Sequence, residues 1–259
     1  MNKAGYQELD PMDSLLLAAS ENPDKRYPFY LALLDWELVV PGTAAASGED
    51  PDEIELSLKY IEVEQELILP VFSSQAKFQT IFQGKYSYVK IDARELLPLI
   101  EPKASLVLNP GFDLAKQIIP EEIETLKDGS ILQYFFDEMS PEAKREFLTE
   151  RMVEVAETTL ASISECLRGF PSIKKAYLTS FFDPVKGGVP RPLIGLEADD
   201  EGNTQLLSIV EAVEKNVPEK LKFEFAILHK ELPLTCSTVQ EVKPFYVRDS
   251  EDQLRTMFR

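Results

Sequence analysis

The sequence predicts an α+β fold of two small modules, each a short mixed or antiparallel sheet with packed helices. Three observations carry this. Residues 66–126 run as apolar phrases, each stopped by a turn or a cap, with strand-like and helix-like periods in turn. From Ser140 the pattern restarts as helix, strand, strand, helix, strand, which describes an α+β unit with its helices on one side of a sheet. At 259 residues the chain is long enough for two ordinary domains. The boundary falls near residue 138, giving modules 1–138 and 139–259.

In the first module, Met12 to Ser20 is a short apolar helix. A second helical face follows Tyr27-Pro28, with Phe29, Leu33 and Trp36 aligned on it. Leu38 to Gly42 reads as a short strand closed by Pro41 and Gly42. Residues 43–52 are small and acidic, broken by Gly48 and Pro51, and read as a loop. Between Glu49 and Glu66 lie eight acidic residues against one Lys, the mark of a solvated face or of edge strands guarded by charge. Leu67 to Phe72 is a strand, and Ser73 or Ser74 caps the helix after it. Ser105 to Leu108 is another strand, ended by a turn at Asn109-Pro110-Gly111. Pro120 then starts a helix whose first turn holds Glu121 and Glu122 against the positive end of the dipole.

In the second module, Ser140, Pro141 and Glu142 give a cap, a proline at the first helical position and an acidic first turn. Leu148, Met152, Val155, Leu160, Ile163 and Leu167 keep to one stripe, so one long helix to about Arg168 is expected, stopped by Gly169. Strands at 176–182 and 192–197 flank a loop with Gly187-Gly188. A helix follows from about Gln205 to Lys215, capped by Asn203 or Thr204. Residues 222–227 alternate strictly, placing Phe223, Phe225 and Ile227 on the core face.

The phrases ELILPVFSSQAKF, KYSYVKIDARELLPL, ASLVLNPGF and QIIPEEIETL, with LLLAAS near the start, resemble the amino-terminal module of the SseB family, named for enhanced serine sensitivity. The tail phrases HKELPL and KPFYV resemble its carboxy-terminal module. The resemblance implies a bacterial origin and a link to serine tolerance or amino-acid metabolism. It supplies no catalytic residues, because the phrases consist of apolar and turn residues that specify a fold.

The formal net charge of -18 argues against nucleic acid and against anionic membranes, since both present negative surfaces. No apolar run reaches the roughly 18–20 residues of a membrane span. The acidic amino terminus does not read as a secretory signal. Cys166 and Cys236 form no CxxC pair, which fits a reducing cytoplasm.

The chemical motifs fail one by one. His229 is the sole histidine, so an HExxH zinc site is impossible, and without a GxSxG elbow a serine triad is not expected. Ser74 to Lys77 matches SxxK, yet SDN is absent and KTG is at best Lys186-Gly187-Gly188 in a loop. The acidic loop from Asp199 has Thr204 where an EF-hand requires Gly and Val210 where it requires Glu. Gly187-Gly188 lacks the Lys-Ser/Thr of a P-loop. No catalytic residue, cofactor or metal ligand is therefore assigned.

Three functional expectations remain. The first is a non-catalytic cytoplasmic protein that binds another protein, with Tyr27, Trp36, Phe181, Phe182, Pro244, Phe245 and Tyr246 as candidate anchors. The second is an enzyme or small-ligand binder with a site at the junction of the modules, where Ser73, Ser74, Lys77 and Asn109 are the residues to inspect. The third is an immunity-type protein that neutralises a basic partner with its negative charge.

Overall fold

A computed structural model describes residues 10–46, 54–151, 153–217, 222–228 and 242–248. His229 and Cys236 lie outside the described residues. The chain divides into two compact units, Met1–Lys144 with Pro184–Lys186, and Arg145–Asp183 with Gly187–Arg259.

The first unit opens with α1 (Pro11–Glu21), a 3₁₀ turn at Pro23–Lys25 and α2 (Arg26–Leu34). Met12, Leu16 and Ala19 of α1, with Phe29, Leu33 and Leu34 of α2, form buried faces. The next strand, β1 (Glu37–Ala46), serves two partners in succession. Its first half pairs antiparallel with β5 (Tyr88–Asp92), and its second half, from Gly42, pairs antiparallel with β2 (Ile54–Leu58). Residues 43–46, expected as loop, are strand because β2 supplies their hydrogen bonds. Tertiary pairing outweighs a composition of Thr and Ala.

A second, mixed sheet has the order β3 (Ile61–Val63), β4 (Glu66–Val71), β6 (Ala104–Leu108), β7 (Lys116–Ile118), with β4 and β6 parallel. Two backbone hydrogen bonds of 2.9 Å between Val39 and Phe72 tie the sheets together. The acidic segment thus supplies β2 and β3, each at the edge of its sheet, where charge discourages pairing with other chains.

Between β4 and β5 runs α3 (Gln75–Phe82), and α4 (Ala93–Leu96) with a 3₁₀ turn at Leu97–Leu99 precedes β6. Helix α5 (Pro120–Lys127) starts where Pro120 predicts, and Gly129, at φ 77°, turns the chain directly into α6 (Ser130–Glu138). Val39, Phe72 and Phe78 form a buried cluster against which Phe82, Tyr88 and Phe112 pack.

The single long helix expected after Ser140 is two helices, α7 (Pro141–Thr149) and α8 (Glu157–Arg168). Ala156 between them is extended, at φ -63° and ψ 145°. Of the expected stripe, Leu148 lies on α7, Leu160, Ile163 and Leu167 lie on α8, and Val155 falls between the two helices, a break that apolar spacing alone does not mark.

The second unit carries β8 (Ile173–Phe181), β9 (Arg191–Ala198), α9 (Asp200–Glu214), β10 (Glu224–Ile227) and β11 (Tyr246–Val247), with sheet order β10-β9-β8-β11. Its core joins Ile163 and Leu167 of α8, Ile209 and Val213 of α9, and Ile173, Ile194 and Leu196 of the sheet, with Phe223, Phe225 and Ile227 packed against them. Helix α9 begins at Asp200 with Asp199 at the cap position, so Asn203 and Thr204 are its fourth and fifth residues instead of its cap.

Candidate functional site

Three of the four polar residues of the first unit that the sequence singles out, Ser73, Lys77 and Asn109, meet at one place, joined by two aspartates that it did not single out. Ser73 and Ser74 follow β4, Lys77 stands in the first turn of α3, and Asn109 follows β6. Because β4 and β6 run parallel and adjacent, their carboxyl ends bring Ser73 and Asn109 together. The Ser73 amide donates to Asn109 Oδ1 at 2.9 Å. Asn109 adopts a left-handed conformation, φ 52°, which asparagine tolerates better than most residues, and is fully buried.

Helix α1 brings the remaining members. Asp10 caps it by accepting from the Asp13 amide at 2.8 Å, and Pro11 occupies the first helical position. Lys77 Nζ lies 2.7 Å from Asp10 Oδ2 and 2.5 Å from Asp13 Oδ1, and donates to Ser73 Oγ at 3.1 Å. Asn109 Nδ2 donates to Asp13 Oδ1 at 3.1 Å, and Ser73 Oγ donates to Asp10 Oδ2 at 2.8 Å. The Trp36 indole N–H, half-buried, donates to the Ser73 carbonyl at 2.9 Å.

The three protons of the Lys77 ammonium thus each have an acceptor, and the Ser73 hydroxyl is held by a carboxylate. Burial pushes the Asp10 carboxyl up, but hydrogen bonds from Lys77, the Asp13 amide and Ser73, together with the Lys77 charge, more than offset it and hold it below the usual carboxylate range. The set ties α1 to the ends of β4 and β6. Ser74 stands apart from it as the cap of α3, accepting from the Lys77 amide at 3.4 Å.

Asp10 and Asp13 carried a sequence signal, an Asp-Pro-x-Asp start before an apolar run, which predicts a cap. Their reach to Lys77, across more than sixty residues, has no local signature.

The aromatic candidates disperse. Tyr27 is a core residue of the first unit, its hydroxyl donating to the Pro184 carbonyl of that unit at 2.9 Å, and so offers no surface. Tyr246 is buried in the core of the second unit, while Phe245 and Pro244 are half-buried. Phe181 is 42% exposed at the end of β8, and Phe182 is half-buried with its ring edge-on to Phe147.

Among the described residues, no three His, Cys, Asp or Glu side chains gather as a metal ion requires. No helix among them is long and apolar enough to cross a membrane.

Residues 12–125 match the SseB protein N-terminal domain, and residues 148–248 match the SseB protein C-terminal domain. Two similar relatives, each named Protein SseB, come from Escherichia coli (strain K12) and Shigella flexneri. Each is 23% identical over 241 residues, covering 92% of this chain and 92% of the relative. No solved structure matches the chain significantly.

Proposed function

The chain belongs to the SseB family, and from that premise we propose that it is a non-catalytic cytoplasmic protein that acts by binding another protein. The observation that carries this reading is the commitment of Ser73, Lys77, Asp10, Asp13 and Asn109 to one another. The residues that most resemble chemistry are occupied in holding the fold.

Contact with a protein is supported by what the surface offers. Edge strand β3 exposes Ile61 at 41% and Val63 at 48%, two residues apart and therefore on one face. Tyr134 on α6 is 58% exposed. Exposed aromatics are common anchors of such contacts. A link to serine tolerance is part of the same proposal and rests on the family name alone.

The test is affinity capture of the tagged chain from its host's lysate at low and high salt, followed by reconstitution with the purified partner. A stoichiometric complex is expected. No partner at either salt overturns the reading. A second reading, small-ligand binding, is favoured by one observation, a groove within the first unit.

A further inference from the structure

A groove of about 510 Å³ opens in the first unit between α1, α2, β7 and α6, a size within the usual range for small-molecule sites. Leu16, Ala19 and Phe29 form its apolar floor. Phe135 of α6 stacks on Tyr30 of α2, ring centroids 5.1 Å apart and planes 8° from parallel, leaving Phe135 half-buried as a flat wall.

The charge of the lining runs against that of the chain. Arg26 and Lys116 line the groove and no carboxylate does, although the whole chain carries -18. The two cations differ. Lys116 is paired with Glu122 at 3.0 Å, and Glu122 also accepts from the Tyr30 hydroxyl. Arg26 is exposed at the start of α2 and makes no ion pair among the described residues. Its guanidinium carbon stands 6.0 Å from the centroid of the Phe135 ring. A planar fork with five donors thus stands unpaired beside an aromatic wall and an apolar floor.

We propose that this groove is a site for a small organic anion, a carboxylate carried on a flat or apolar body. Arg26 takes the carboxylate through paired hydrogen bonds, and Phe135 with Leu16 and Ala19 takes the body. Arginine suits this role because its fork matches a carboxylate in two parallel bonds. An ordinary lysine-rich surface would select for charge alone, whereas here charge and apolar surface are offered side by side. The proposal rests on the small-ligand reading, and is independent of the protein-partner reading and of its capture experiment.

The test uses the full chain and ligand-observed NMR with three probes: benzoate, its neutral analogue benzamide, and inorganic phosphate. Benzoate is expected to bind at least about tenfold more tightly than either of the others, the factor one charge-assisted contact supplies. Arg26→Gln is expected to remove that preference while leaving the thermal midpoint unchanged, since Arg26 has no ion pair to lose. Arg26→Lys is expected to restore part of it. Equal binding of benzamide, equal binding of phosphate, or undiminished benzoate binding by Arg26→Gln overturns the proposal. A partner captured as strongly by Arg26→Gln as by the native chain leaves the protein-binding reading standing if the groove fails.

Discussion

Replacing Lys77 with methionine tests the structural reading of the polar set most sharply. Methionine keeps much of the stem's bulk but removes the three donors that meet Asp10, Asp13 and Ser73. The side chains of Lys77 and Asp13 are each only 12% exposed, and that of Asp10 is 24% exposed. Removing one partner of a buried ion pair typically costs about 3–5 kcal/mol, and the part-exposed Asp10 places Lys77→Met at the lower end, about 3 kcal/mol. With an m-value of about 2 kcal/mol/M, the urea midpoint should fall by about 1.5 M, and the thermal midpoint by roughly 6–12 °C. The probe is built in. Trp36 is the sole tryptophan, and its indole N–H is bonded to the Ser73 carbonyl, so its fluorescence reports unfolding of this unit. Adding Asp13→Asn to Lys77→Met should recover part of the loss by removing a stranded charge. Lys90→Met is the control, because the Lys90–Glu37 pair is 47% and 57% exposed and such exposed pairs contribute little to stability. A Lys77→Met loss no larger than that of Lys90→Met would refute the reasoning.

Other consequences follow from particular residues. The Asp10 carboxyl is held below its ordinary value of 3.8 in the fold, so its contribution to stability is full above that value and is lost as pH falls through the lower folded value. Acid titration of Trp36 fluorescence should show this loss, and Asp10→Asn should flatten it. Glu64 and Gln65 make the two-residue turn between β3 and β4 with φ 52° and 71°, a geometry that favours Asn-Gly. Gln65→Gly should therefore raise stability by about 1 kcal/mol, measured by urea unfolding. At Gly42, where β1 changes partner, a Cβ would lie 2.5 Å from the Ser57 carbonyl oxygen. Gly42→Ala should cost about 1–3 kcal/mol and raise hydrogen exchange in β2.

The legible parts of the fold were those encoded locally. The caps at Ser74 and Ser140, Pro120 at a helix start and the alternation around Phe225 each report on a few neighbouring residues, and each element lies where those residues put it. What the sequence hid depends on distant partners. Residues 43–46 are strand only because β2 lies beside them, and α6 follows a left-handed glycine, which has no side chain to serve as its cap. The site divides in the same way. Ser73, Ser74, Lys77 and Asn109 were legible as strand-end and helix-start residues. Asp10 and Asp13 read only as part of an acidic amino terminus, because the contact that gives them their role closes a long loop of chain.

The central proposal is that Ser73 and Lys77 hold the fold and perform no chemistry. Intact-mass analysis of the full chain after treatment with an alkyl fluorophosphonate tests it most directly, with Ser73→Ala alongside. The account predicts no adduct on Ser73 beyond the level seen in Ser73→Ala. A stoichiometric adduct on Ser73 that Lys77→Met abolishes would contradict it.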